Sequence, residues 1–227
     1  MHGDHARQSG PLWVLFGAHL TIVGGAVWLL LGGGLEALDR VTPFSVATGS
    51  WTRRLLLASM SVVYLVRFAL TSFVLLHRRM EWSEVATVAP WLAFIHAALA
   101  ILGGSNPAPL GFAAAAGAGL YVLGSYLNTA SEWGRMRWKR RPGHEGHLYT
   151  GGLFAWAMHI NYLGDVLLFT GFAMAAGRWA ASLVPVLMAL TFVFVHVPML
   201  DAYLAERYGT EFRAWAEHTR RLIPGIW

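Results

Sequence analysis

The sequence predicts an all-α protein: a polytopic membrane helical bundle of about six or seven transmembrane helices, followed by a C-terminal amphipathic helix. Three observations carry that expectation. Hydrophobic residues make up 56% of the 227-residue chain and charged residues 13%, whereas an average soluble domain carries about 25% charged residues. The mean hydropathy is +0.48. Six stretches, roughly Leu12–Gly33, Leu55–Leu76, Ala86–Gly103, Pro109–Leu127, Leu153–Ala176 and Ala180–Leu200, approach the twenty or so apolar residues that cross a bilayer. They read as one membrane-embedded domain over residues 1–227, its cofactor-binding half from about 121 to 227.

Ahead of the first stretch, His2, Asp4 and His5 form a short solvated tail to which no function is assigned. The first stretch is too long for a signal peptide and lacks a small-residue cleavage site, so it reads as a retained span. Its His19 stands alone, and a single His in a packed span reads as a helix–helix hydrogen bond. The linker after it places Glu36, Asp39 and Arg40 close to the membrane, where an acid either sits at the interface or roofs a cavity. The absence of cysteine excludes disulfides, thiolate catalysis and cysteine-ligated metal sites. No metal site is expected.

In the second stretch Tyr64, Arg67 and Thr71 recur at i, i+3 and i+7, with Arg78 two turns further along the same face. An arginine inside an apolar span costs about 2.5–3.5 kcal/mol at the bilayer centre, so Arg67 should face a protein interior with an anionic partner. That partner is either Asp165 or Glu132 in a structural pair, or a phosphate or amide of a ligand. The third stretch holds only His96 as a titratable group, and residues 105–109 turn the chain into the fourth.

Past the fourth stretch, Tyr121, Ser125, Asn128, Glu132 and Arg135 recur at spacings of three and four and form one polar stripe. Asn161 and Asp165, four apart in the fifth stretch, share a helix face at membrane depth. Between them runs a loop with Arg135, Arg137, Lys139, Arg140 and Arg141, Pro142-Gly143 and Gly151-Gly152. Glycine allows close backbone approach and arginine binds phosphate bidentately, so this composition suits a nucleotide or an anionic head group.

With six spans, one side collects Arg7, Arg78, Arg79, the loop cations, Arg207, Arg213, Arg220 and Arg221. The other holds Arg40, Arg53, Arg54 and Arg178. The positive-inside rule then places both termini and the loop in the cytoplasm. Topology and anionic lipid account for the formal charge of +5, and no nucleic-acid partner is needed. From Asp201 to Thr219, Leu204, Tyr208, Phe212, Trp215 and Ala216 alternate with charges, as in an amphipathic helix on that face. Such a helix anchors to the membrane surface or caps a cofactor cavity.

The run RRPGHEGHLYTGGLFAWAMHINYLGD resembles the signature of the 3-oxo-steroid 5α-reductase family: an Arg/Lys-Pro-Gly loop, Gly-Gly-Leu-Phe, then Asn-Tyr/Phe-x-Gly-Glu. HINYLGD and the terminal RRLIPGIW are similar to segments of the sterol reductases of the same superfamily. The resemblance covers Tyr64 to Trp227. It implies a membrane-bound, NADPH-dependent reductase of a conjugated C=C bond in a steroid, sterol or polyprenoid lipid. Tyr64 would be the acid that polarises the substrate ketone, with Glu36 as its partner. Arg67, Asn128, Glu132, Arg135, Asn161 and Asp165 would contact the dinucleotide. Thr71, Arg78, Lys139, Arg141, His147, Tyr149, Tyr162, His196, Asp201 and Tyr203 complete the candidate cofactor set. The superfamily also includes isoprenylcysteine and phospholipid methyltransferases that use S-adenosylmethionine, and these form the alternative reading. Their Arg-His-Pro motif is Met158-His159-Ile160 here, and no Glu-Glu pair precedes Arg207-Tyr208-Gly209.

Overall fold

A computed structural model describes residues 10–43, 45–76 and 78–227. The tail with His2, Asp4, His5 and Arg7 lies outside them. The described residues form nine α-helices: α1 (Gly10–Leu31), α2 (Gly34–Val41), α3 (Trp51–Leu70), α4 (Trp82–Gly104), α5 (Phe112–Lys139), α6 (Ile160–Ala176), α7 (Leu183–Thr191), α8 (Val197–Tyr208) and α9 (Thr210–His218). No strand occurs among the described residues. Four helical runs are long and apolar enough to cross a membrane: Gly10–Leu31, Trp51–Leu75, Trp82–Gly104 and Trp179–Tyr208. Large apolar side chains stay exposed on them, among them Trp28, Val66, Phe94 and Phe194, as expected where the outer solvent is lipid.

Six spans were expected; the other two differ for physical reasons. Gly, Ala and Tyr dilute the apolar first half of α5, and its second half is polar. The fifth stretch does not become helical until Ile160. Gly152 takes φ +57 ahead of a single 3-10 turn, and the amides of Met158 and His159 then donate to Arg220 O (2.8 Å) and Arg221 O (2.7 Å) instead of to a helical turn. The C-terminal amphipathic helix is also split, into α8 and α9, at Gly209 with φ +50, a conformation that glycine adopts without steric cost.

The chain divides into two compact units, Met1–Ala118 with Gly171–Ser182, and Gly119–Thr170 with Leu183–Trp227. In the first, α1, α3 and α4 pack on one another through Leu15, Leu30, Leu57, Ile95 and Leu99, all 0–1% exposed. Its helix ends are capped by side chains. Arg53, 4% exposed, donates to Ala175 O and to Pro109 O (3.0 Å). Asn106 Nδ2 donates to Ala176 O (3.1 Å) and Gly177 O (2.9 Å), and Arg54 to Leu30 O (3.0 Å). The last carbonyls of α6 and α1 thus gain partners, and the cations lie at the negative ends of the helix dipoles.

In the second unit two glycines set the approach of α5 to α6. A Cβ at Gly164 would lie 2.6 Å from Asn128 N and 2.8 Å from Gly124 O, and one at Gly124 would run into Gly164 O and Leu168 N. The backbones touch because neither residue has a side chain, the small-residue packing by which membrane helices associate. Further along, Phe154, Met158 and Ile160 bury against Phe212 and Trp215 of α9.

Gly124→Ala is therefore expected to lower stability in detergent by about 1–3 kcal/mol, because the methyl meets backbone that cannot give way. Gly119→Ala, with nothing within 4 Å of the added carbon, is expected to be neutral or to gain up to about 1 kcal/mol from helix propensity. Thermal midpoints of the two variants check this.

Candidate functional site

The polar stripe on α5 meets the first turns of α6 in the second unit. Asn128, 7% exposed, donates from Nδ2 to Asp165 Oδ2 (3.0 Å) and to Asn161 O (3.1 Å). Asn161 Nδ2 donates to Glu132 Oε1 (3.0 Å), and the other oxygen of Glu132 accepts from Arg135. Ser131 Oγ donates to Asn128 O (2.9 Å). The glycine contact one turn away makes this possible, since it brings the α5 backbone close enough for an Asn side chain to reach an α6 carbonyl. Ser125 Oγ, on the same stripe, is buried with no hydrogen-bond partner.

Glu132 lies past the apolar part of α5. Burial pushes its carboxyl above the ordinary Glu value, the Arg135 charge opposes that shift, and the Asp165 carboxylate adds to it. A carboxyl perturbed by burial beside a second acid is a common mark of a functional site.

A second cluster centres on His159, 1% exposed. Its Nε2 lies 2.9 Å from Asp201 Oδ1, and Arg221 Nε donates to Asp201 Oδ2 at 3.0 Å. The imidazole stacks on Tyr162 (5.5 Å between centroids, 11° between planes), and Tyr162 stacks on Phe192 (4.5 Å, 16°). His196 stands edge-on to Tyr162 and Phe192. Tyr162, which His196 stands against, and Asp201 therefore contact a histidine that is absent from the candidate set. Its signal was the His that opens HINYLGD.

Other candidates hold the loop in place. Lys139 Nζ donates to Tyr208 Oη (2.9 Å) and His147 O (3.2 Å). His147 Nδ1 lies 2.7 Å from Glu211 Oε1, and the Leu148 amide donates to Glu211 Oε2 at 2.8 Å. Tyr149 packs between Trp138 and Phe154. Arg141 is exposed in the turn after α5, and Tyr203 is hydrogen-bonded by Arg207.

In the first unit the Arg67 guanidinium lies 5.0 Å from the centroid of the Tyr64 ring, and that ring contacts His19 and His96. The two histidines share a hydrogen bond of 3.3 Å, the helix–helix role expected of His19. Thr71 opens a π-helical turn, Thr71–Leu75, that ends the helix. Arg78 consequently does not continue the Tyr64 face: it lies beyond the helix, bonded to both carboxylate oxygens of Glu84 (2.6 and 2.5 Å). Glu36, expected beside Tyr64, accepts instead from Thr48 Oγ1 (2.7 Å). That bond holds its carboxyl below the ordinary range, with Arg54 and Arg40 contributing. Arg54 and Tyr64 are ten residues, or about 15 Å of helical rise, apart on α3. Glu36 belongs to the Arg54 end.

The Glu211 carboxyl is held below its ordinary value first by the Leu148 amide and then by His147. Its contribution is full above the unfolded value of about 4.3 and is lost as pH falls through the lower folded value. Protection of the Leu148 amide from hydrogen exchange, corrected for intrinsic rate, should fall over that acidic window. In Glu211→Gln, whose amide oxygen can still accept but does not titrate, it should not change with pH over that window.

Residues 86–219 match the family model described as "Protein of unknown function (DUF1295)". No curated protein matches the chain. The matched stretch runs from α4 to the end of α9, covers more than half of the sequence and contains the whole Asn128–Asp165–Asn161–Glu132–Arg135 network; the chain belongs to this family, which falls in the steroid 5α-reductase-like group.

Proposed function

We propose that this protein is a membrane-embedded reductase that uses NADPH to saturate a conjugated C=C bond in a steroid, sterol or other polyprenoid lipid. The observation that carries the reading is the Asn128–Asp165–Asn161–Glu132–Arg135 network. Two acids and two amides gather there, and the Glu132 carboxyl is raised by burial and by Asp165, a perturbation that supports a binding site.

The residues present fit a dinucleotide. Its carboxamide needs a donor and an acceptor, which Asn128, Asn161 and Asp165 supply, and the unpartnered Ser125 Oγ is one more group that a bound amide would satisfy. Its phosphates need cations, and Arg135 and Arg141 are exposed at the end of the stripe and in the turn beyond it. The stacked Tyr162 and Phe192 rings offer a flat apolar face. When bound, the dinucleotide supplies the hydride. Tyr64 acts on the substrate: its phenol donates to the carbonyl oxygen at the far end of the conjugated system, where negative charge develops, in surroundings that exclude water. Arg67 over its ring adds a positive field at that oxygen.

Mass spectrometry of ligand co-purified in mild detergent separates NADP from S-adenosylmethionine or its product, and recovery of the latter sinks the reductase reading. Asn161→Ala and Asp165→Ala are each expected to weaken NADPH binding by about 1–3 kcal/mol, by removing one partner from a partly buried polar site. Unchanged affinity in folded variants would make the network purely structural. Tyr64→Phe keeps the ring and removes the hydroxyl, so with a Δ4-3-ketosteroid kcat should fall on the order of 10²–10³ while NADPH affinity stays. Turnover of a sterol diene but not of the enone would instead assign the chemistry to alkene protonation.

A further inference from the structure

His19 on α1 and His96 on α4 are 0% and 1% exposed, and their Nε2 atoms are 3.3 Å apart. A hydrogen bond between two imidazoles uses one proton and one lone pair. In the neutral pair, therefore, the accepting ring carries its proton on Nδ1 and the donating ring has a bare Nδ1. Both Nδ1 atoms are buried and neither has a hydrogen-bond partner. A contact kept only for packing has no use for a spare donor and a spare acceptor, since buried polar atoms are normally paired and the exceptions mark chemistry or a bound group.

The surroundings are apolar apart from one side. Phe68 meets His19 edge-on at 4.6 Å and Phe172 meets His96 at 6.4 Å. The polar neighbours come from α3: the Tyr64 ring lies 5.5 Å from His19 and 5.9 Å from His96, with Arg67 against Tyr64. A metal reading fails, because no group of three His, Cys, Asp or Glu gathers among the described residues and the Arg67 charge repels a cation. The same two helices flank an apolar groove of about 260 Å³ that includes Ile22, Gly25, Ala26 and Ala93. Ile22 and Ala93 lie one helical turn from His19 and His96 in sequence.

We propose that His19 and His96 form a two-imidazole proton relay that supplies, at membrane depth, the proton consumed at Tyr64. The proposal rests on the reductase reading. Saturating the double bond takes a hydride from the nicotinamide dinucleotide, whose electron pair forms the C–H bond at the β carbon, and a net single proton: Tyr64 gives one to the enolate oxygen, and the enol then becomes the ketone by gaining a proton at the α carbon as its O–H proton leaves. The relay balances that demand. One Nδ1–H gives its proton to the Tyr64 phenolate through a bridging water, since neither Nδ1 bonds the phenol directly, the shared Nε2 proton crosses between the rings, and the bare Nδ1 of the other ring takes up a proton that originates in water. One proton enters and one leaves, and ring flips restore the starting tautomers.

Two measurements test this. In protein labelled with ¹⁵N-histidine, one of the two rings should be protonated at Nδ1 and the other at Nε2, the signals being assigned by their loss in His19→Gln and His96→Gln. The same tautomer in both rings overturns the relay. In NADPH oxidation with the enone, each Gln variant should lose at least tenfold in kcat and gain a larger solvent deuterium isotope effect, with NADPH affinity unchanged. Wild-type kcat and isotope effect in folded variants overturn the relay and leave the reductase reading standing. If a Gln variant does not fold, His96→Ala assayed with added imidazole replaces it: recovery of rate supports the relay, and no recovery in folded protein overturns it. A wild-type protein that binds no NADPH overturns the reductase reading, and the relay's role with it.

Discussion

The contact between Gly124 and Gly164 is the constraint on which the polar chemistry of the second unit depends. Side chains at these positions would hold the α5 and α6 backbones apart, and the reach of an asparagine is short. With the helices in van der Waals contact, Asn128 bonds both a main-chain carbonyl and a carboxylate of α6. Asn161 then faces Glu132, which in turn holds Arg135. A spacing fixed by two missing side chains thus becomes a line of hydrogen bonds running out along one helix face. In an apolar surrounding such bonds strengthen one another, and a gap in the line costs more than one bond.

Much of this was legible in the sequence because it is local. The α5 stripe and the Asn161/Asp165 pair follow from helical spacing alone. What escaped was set by partners far along the chain. His19 and His96 are 77 positions apart, His159 and Asp201 are 42 apart, and no periodicity links them. The late start of α6 was hidden for the same reason: GLFAWAMH has the composition of a helix, yet two of its amides are taken by Arg220 and Arg221. Arg78 and Glu36 misled in another way. Each is a charged residue near a promising neighbour, and each is held by a closer partner, Glu84 and Thr48 respectively.

Each unit carries its own polar set. The second carries amides, acids and arginines, and the first carries a phenol, a guanidinium and two imidazoles. Apart from Arg141, in the turn after α5, these groups stand on helices or their first turns, and sites built on helices are held more precisely than sites on loops. The loop between α5 and α6, by contrast, is fastened to α9 through Glu211.

The capping of α6 by Arg53 and Asn106 bears on how the protein meets membranes of different thickness. At 17 residues, α6 rises about 26 Å, short of a hydrocarbon core of about 30 Å. A helix that ends inside lipid would leave its last carbonyls without partners, but here protein side chains supply them. The end of α6 therefore leaves fewer bare carbonyls to face lipid. By contrast α1 and α4, at 22 and 23 residues, rise about 33–35 Å and are long enough to cross such a core with some tilt.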